Sequence, residues 1–208
     1  PIGRRQPVSH VHWGGGTPSM IPGGVFLSLS ARLREAFALA PGAEHAIELD
    51  PRTVDRTLAS TLGKAGITRV SLGIQDTDPT VQAAIGRLQP DTVVHAAFSH
   101  LRAAGLTRIN ADLMYGLPHQ TPDTVRRTVD AMALLAPSRV SVFGYAHVPW
   151  AKAHQRLIDE SALPGADVRL LLEATMRAAL EDAGYVPIGL DHFARPDDPL
   201  AIAAKGGW

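Results

Sequence analysis

Three consecutive glycines, Gly14, Gly15 and Gly16, lie inside the stretch HVHWGGGTPSM and are followed by Thr17 and Pro18. Removing Cβ from successive positions lets backbone N–H and C=O groups approach a ligand closely and take up φ > 0. The run has neither the GxGxxG dinucleotide spacing nor the GxxxxGK[ST] phosphate loop, so a pyrophosphate ligand is not indicated. Just upstream, His10 and His12 stand at i and i+2, which on a strand puts both imidazoles on one face and permits a two-histidine metal site. With His147 and either Asp191 or His192, they would suit a metal-dependent barrel hydrolase that activates water. The competing reading makes His10 a packed or capping imidazole and the glycines a ligand-cradling loop. Arg87, just beyond an amphipathic segment, could grip a carboxylate in a forked pair, or be a solvated surface arginine.

These groups must be positioned by the elements around them. β-Branched runs recur as SHVHWGGG, AIELD, TRVSLGIQD, TRINADLMYGLP, SRVSVFGYAHVP and YVPIGLDHF, and each reads as a buried parallel strand, six in all. Between them, FLSLSARLREAFAL, TVDRTLASTLGKAG, TDPTVQAAIGR, DTVVHAAFSHLRAAG, TPDTVRRTVDAMALLAP and ADVRLLLEATMRAALEDAGY carry mostly helical periodicity. Several open on Asp or Thr and three stop at Ala-Gly or Ala-Pro. Repeated βα units predict an α/β barrel or doubly wound sheet, in which ligand groups collect at the carboxyl ends of strands. Gly14–Thr17, Glu48 and Asp50, Gln75 and Asp76, Asp112 and Tyr115, Tyr145, Ala146 and His147, and finally Asp191 and His192 all fall at such expected ends. Each alone could be a helix cap or loop hydrogen bond; their joint placement points to a binding rim. The segment Asp191, His192, Phe193 and Arg195 reads as part of that rim.

Composition narrows the ligand class. Lys+Arg and Asp+Glu are both 20, so no basic field exists for nucleic acid or an anionic membrane, and no apolar run reaches the roughly 18 residues of a membrane span. Small-molecule ligands, and neither nucleic acid nor membrane, are the expected partners. There is no cysteine, which excludes disulfides and thiolate-bound metal within these residues. With no linker or fixed-period repeat, residues 1–208 are expected to form a single domain. The chain reads as a piece of a longer protein, with residues 185–208 leading into a missing C-terminal region.

In order, WGGGTPS, IELDPRTV, SLGIQDTD, GRLQ, ADLMYGLPHQT, SVFGYAHVP and GLDHFARPDD resemble the oxygen-independent coproporphyrinogen III oxidases of the radical S-adenosylmethionine superfamily. The resemblance runs from about Val11 to Leu200. It implies a partial (β/α)6 TIM-like barrel of the radical SAM type, incomplete at both ends, that holds S-adenosylmethionine beside a [4Fe–4S] cluster. It further implies that Gly15, Gly16 and Thr17 hold the methionine part of that ligand, with Glu48 and Gln75 as further polar contacts. Arg87 would take the carboxylate, Asp112 the ribose end, and Ala146 the adenine through its backbone. A porphyrinogen substrate, an electron-donor protein or reductant, a cytoplasmic location and a monomeric state are implied as well. A haem-trafficking relative shares the barrel, but those proteins typically carry a Tyr-Glu-Ile-Ser-Asn type sequence where this chain has GLDHFARP. The resemblance breaks at the cluster: the family's Cys-x3-Cys-x2-Cys motif has no counterpart here, so the chain itself is expected to be inactive and to bind no metal.

Overall fold

The computed structural model describes residues 7–207. In chain order the elements are β1 (Val8–Trp13), α1 (Gly23–Ala36), β2 (Leu39–Leu49), α2 (Arg56–Ala65), β3 (Arg69–Gln75), α3 (Pro79–Ala84), α4 (Asp91–Ala103) and β4 (Ile109–Tyr115). They continue with α5 (Pro122–Leu135), β5 (Arg139–Gly144), α6 (Ala166–Asp182), β6 (Val186–Gly189), β7 (His192–Ala194) and α7 (Pro199–Lys205), and short 3-10 turns fall in several loops. Backbone contacts gather the chain into two compact units. Unit one holds residues 7–73 and 93–110, and unit two holds 74–92 and 111–207, so β3 and β4 contribute their first residues to one and their last to the other.

In unit one the strand order is β1-β2-β3-β4. β1 pairs parallel with β2, Val11 opposite His45 and Trp13 opposite Ile47, and β2 pairs parallel with β3, Ile47 opposite Val70. The helix-facing residues of these strands, Ile47, Leu49, Val70 and Leu72, are buried together with Ala59 and Leu62 of α2 and Val94, Ala97, Phe98 and Leu101 of α4. Period two then places Glu48, between Ile47 and Leu49, on the opposite face of its strand. Asp55 caps α2 by accepting the Leu58 N–H at 2.7 Å, and Gly66 ends it at φ 74°, the left-handed geometry that favours glycine. The Trp13 indole, packed on Phe26 with centroids 4.8 Å apart, donates to His45 Nε2 at 2.6 Å. An indole N–H can only donate, so His45 Nε2 carries a lone pair, in keeping with burial and then Arg34 holding that histidine's pKa below its ordinary value. The expected helix FLSLSARLREAFAL is corrected at its end. It stops at Ala36 and Leu39 already belongs to β2, because Pro41 restricts the residue before it to extended backbone and cannot itself continue a helix.

In unit two the order is β4-β5-β7-β6. The core gathers Ala111 and Leu113 of β4, Val125, Val129 and Met132 of α5, Val140 and Val142 of β5, and Leu172, Met176 and Leu180 of α6. Thr121 and Thr124 form a reciprocal capping box at the start of α5, with Pro122 in its first turn. Asp78 and Asp198 cap α3 and α7 by accepting backbone N–H groups of the first turn, each ahead of a proline, so the Asp and Thr start signals are where the helices begin.

The expected sixth parallel strand is corrected. YVPIGLDHF folds as a hairpin in which β7 runs antiparallel to both β5 and β6. Gly189 and Asp191, at φ 156° and 59°, make the reversal, and an aspartate tolerates the left-handed region better than most residues. Asp191 therefore lies in the hairpin turn and His192 opens β7, rather than ending a strand together. Phe193, expected on a rim, is 2% exposed, with the Arg177 guanidinium 5.4 Å above its ring. No helix among the described residues is long and apolar enough to cross a membrane.

Candidate functional site

In unit one the glycine run follows β1 directly. Gly15 and Gly16 sit at φ 77° and 53°, and a Cβ on either would meet no atom within 4 Å. These positions need glycine for backbone conformation, and their surroundings are open. Gly16→Ala should cost about 1–2 kcal/mol of stability by forcing an L side chain into the left-handed region, measurable by urea denaturation. Thr17 is exposed and precedes the 3-10 turn Pro18–Met20, whose Met20 N–H donates to Thr17 O at 2.9 Å; Pro18 starts the next element as expected.

Gly14 is tight for a different reason: a Cβ there would fall 2.9 Å from His12 Nε2 and 3.1 Å from Glu48 Oε1. Those two atoms are themselves bonded at 2.8 Å. A carboxylate only accepts, so His12 Nε2 carries the donated proton. Both side chains are about half exposed, and Glu48 keeps its second oxygen for a cationic partner. His10 bonds Ser9 Oγ through Nδ1 at 2.9 Å. The two histidines are thus engaged separately, and among the described residues no three His, Cys, Asp or Glu side chains are grouped to hold a metal ion. Asp50, expected on the rim, caps the Pro51–Thr53 turn and holds Arg52 in a forked ion pair.

In unit two the centre is the end of β3. Gln75 adopts φ 70°, an uncommon conformation for a non-glycine residue, and its Oε1 is buried without a hydrogen-bond partner. A buried carbonyl oxygen left unmade costs about 1–3 kcal/mol. Strain and an orphaned acceptor on one residue mark Gln75 as a candidate ligand contact. The next residue, Asp76, is fully buried and accepts from Gln120 Nε2 at 2.6 Å, the Asp78 N–H at 2.7 Å and Thr128 Oγ1 at 3.1 Å. Burial pushes its carboxyl pKa above the ordinary value, against the pull of those three donors.

The same network fixes Arg87. Gln82 donates Nε2–H to Asp76 O at 2.9 Å and to Gln89 O at 3.1 Å, and accepts the Gln89 N–H at 2.9 Å. Arg87, half-buried, follows Gly86 at φ 64°, and its own N–H donates to Gln82 O at 2.8 Å. One buried amide thereby closes the loop that carries the guanidinium. Sequence reasoning missed Gln82, Gln89, Gln120 and Thr128. Their only signal is a polar side chain on the otherwise apolar side of a helix or loop.

Asp112 is half-buried in β4, on the strand face opposite Ala111 and Leu113. Tyr115 ends that strand, and burial, then the charges of Asp191 and Glu173, push its phenol pKa up. Gly144 lets it approach closely, since a Cβ there would fall 2.9 Å from the Tyr115 hydroxyl and make that side chain shift. Ala146 is exposed, and its carbonyl accepts from Gln155 Nε2 at 2.9 Å. Tyr145 is 6% exposed in an apolar cluster with Val81 and Leu117, and its hydroxyl bonds His147 Nδ1 at 3.0 Å. His147 Nε2 in turn meets Glu160 Oε1 at 3.0 Å, so His147 is tied within the loop.

The radical SAM superfamily signature matches residues 2–132, more than half of the sequence. The chain belongs to the radical SAM superfamily. Its membership implies S-adenosylmethionine and a [4Fe–4S] cluster as the superfamily's cofactors, and no cysteine is present to ligate the cluster. This radical SAM chain is 50% identical to the oxygen-independent coproporphyrinogen III oxidase of Bradyrhizobium diazoefficiens over 97% of its own length and 45% of the relative's. It is 42% identical to the Salmonella typhimurium protein of the same name, covering all of this chain and 45% of that one. It thus spans less than half the length of the curated relatives it matches. Among solved structures, the coproporphyrinogen III oxidase HemN from Escherichia coli superposes with a TM-score of 0.91 at 42% identity, covering 96% of this chain and 46% of that one. That likeness bears out the α/β class expected from the strand–helix repeat and the partial radical SAM barrel that the family resemblance implies.

Proposed function

We propose that this chain is the S-adenosylmethionine-binding part of an oxygen-independent coproporphyrinogen III oxidase, an oxidoreductase of porphyrin and haem biosynthesis. The reaction is oxidative decarboxylation of two propionate side chains of coproporphyrinogen III to the vinyl groups of protoporphyrinogen IX. Support comes from identities of 42–50% to relatives of that name over nearly the whole chain. The observation that carries the ligand assignment is Gln75, whose strained backbone and orphaned buried Oε1 await a donor.

The residues present fit the ligand. Gly15, Gly16 and Thr17 would take its amino-acid part by backbone and hydroxyl contacts. Glu48 and Gln75 would favour its cationic and donor groups, Arg87 its carboxylate, Asp112 its ribose hydroxyls and the Ala146 backbone its adenine. When bound and reductively cleaved, S-adenosylmethionine supplies a 5′-deoxyadenosyl radical able to abstract hydrogen from a propionate. The role of this chain is to bind, orient and shield that ligand. The [4Fe–4S] cluster does not fit these residues, since its thiolate ligands are absent from the sequence. A reductant or electron-donor protein, a porphyrinogen substrate, a cytoplasmic location and a monomeric state complete the proposal.

Two measurements test it. Calorimetric titration of the 208-residue chain with S-adenosylhomocysteine should give saturable one-to-one binding, and its absence would overturn the ligand assignment. Anaerobic reconstitution with iron and sulfide should leave the chain without a cluster. Incorporation of about four irons per chain with the matching electron paramagnetic signal would show that other residues replace the thiolates.

A further inference from the structure

Beyond β5 the chain passes through Tyr145, Ala146, His147 and Val148 without helix or strand of its own. Backbone groups in such a segment must find partners outside the regular ladders. Here they come largely from one side chain. Gln155, on the 3-10 turn Ala153–Leu157 and 8% exposed, donates Nε2–H to Ala146 O at 2.9 Å and accepts the Val148 N–H at Oε1 at 2.5 Å. A C=O at one residue and an N–H two residues later are the pair that a facing residue engages in a β-ladder, so the Gln155 amide acts as a strand of one residue. The segment is anchored at its start as well, where the Tyr145 N–H donates to Tyr115 O at 2.8 Å. Only Ala146, at the middle, is left exposed.

We propose that Gln155 is the positioning residue for adenine recognition, fixing the Ala146 peptide so that it selects adenine over the hypoxanthine ring; this rests on the assignment of Ala146 as the adenine contact. Adenine's edge presents an amino donor beside a ring-nitrogen acceptor, whereas hypoxanthine presents a carbonyl acceptor beside an N–H donor. A single residue's C=O and N–H complement the first pattern only if their directions are fixed. A peptide free to turn would serve both edges. The bond from Gln155 sets the plane of the Ala146 carbonyl and leaves its second lone pair for the amino group. The neutral amide is the group that can both donate to Ala146 O and accept from Val148 N. Glutamate cannot make the first bond when ionised, and methionine makes neither.

The experiment is calorimetric titration of the 208-residue chain with S-adenosylhomocysteine and with S-inosylhomocysteine, in wild type, Gln155→Met and Gln155→Glu. Wild type should prefer the adenine ligand by about tenfold or more, the scale of one lost hydrogen bond beside a mismatched edge. In Gln155→Met the adenine ligand should bind about tenfold more weakly, and the preference should fall toward one. The ligand-free variant should also exchange the Val148 amide faster by NMR, because that N–H has lost its acceptor. Gln155→Glu should keep the Val148 protection but lose the preference, which decides the matter should the Met variant fail to fold. Folded variants that keep both affinity and preference overturn the role of Gln155 alone. Failure of wild type to bind either ligand overturns the ligand assignment, and this inference with it.

Discussion

Asp76→Ala is expected to be among the most damaging single substitutions in unit two, lowering stability by about 3–5 kcal/mol in urea denaturation. Three donors converge on this fully buried carboxylate: Gln120 Nε2, Thr128 Oγ1 and the Asp78 N–H. Each buried donor stripped of its acceptor costs about 1–3 kcal/mol, and a cavity and relaxation of the loops bring the total to the stated range. Gln120 also holds the 114–120 segment, donating to Met114 O at 2.8 Å and accepting the Leu117 N–H at 2.8 Å. Loosening it should therefore raise amide exchange at Leu117 as well as lowering the midpoint.

The same site gives a pH dependence with a definite sign. In the unfolded chain Asp76 titrates near 3.8, and in the folded state burial raises that value against the three donors. The folded state then binds the proton more tightly than the unfolded state. The stabilising contribution is full below pH 3.8 and is lost as pH rises through the raised native value. Asp76→Asn cannot titrate. The stability advantage of wild type over this variant should therefore be largest in acid and shrink on the way to neutrality. An advantage that grows with pH would mean that the donors outweigh burial.

What was legible in the sequence, and what was not, follows from the range over which each signal acts. Helix starts at Asp55, Asp78, Thr121 and Asp198 are local events, in which a short side chain reaches an N–H two or three residues on, so composition reveals them. The alternation that buries Val70, Leu72 and Ile74 is equally local, and it left Gln75 in step with Ser71 and Gly73 on the other face of β3. The β6–β7 hairpin was lost because Gly189-Leu190-Asp191 reads as a strand end as readily as a turn, and strand direction is not written in periodicity. The network around Asp76 was lost because its members lie as many as 52 residues away and a glutamine or threonine looks the same whether solvated or buried. Gln155 belongs with them: its partners are seven and nine residues upstream, in a segment with no period at all. Polar groups at the strand ends were therefore readable as a candidate rim, while the buried side chains that hold those segments in place were not.

Arg87→Ala should weaken binding of S-adenosylhomocysteine by about 2–5 kcal/mol, the cost of leaving a partly desolvated carboxylate without its charged partner. The position is well determined before any ligand arrives. The Arg87 N–H is bonded to Gln82 O, Gly86 takes the positive φ that turns the chain after α3, and the Gln82 amide closes the loop onto Gln89 through two bonds. The backbone of the loop therefore has little ordering entropy left to lose when the guanidinium engages. Truncation at Cβ leaves those backbone bonds intact, so the loop should keep its path in the variant. Arg87→Lys should recover only part of the loss, because an ammonium cannot make the forked contact with a carboxylate. Methylthioadenosine separates this role from a general loosening of the site: it keeps the adenine and ribose but has no carboxylate, so its affinity should be nearly the same in wild type, Arg87→Ala and Arg87→Lys. Equal losses for both ligands would assign Arg87 to the architecture of the loop, and unchanged affinity for S-adenosylhomocysteine would remove it from the site.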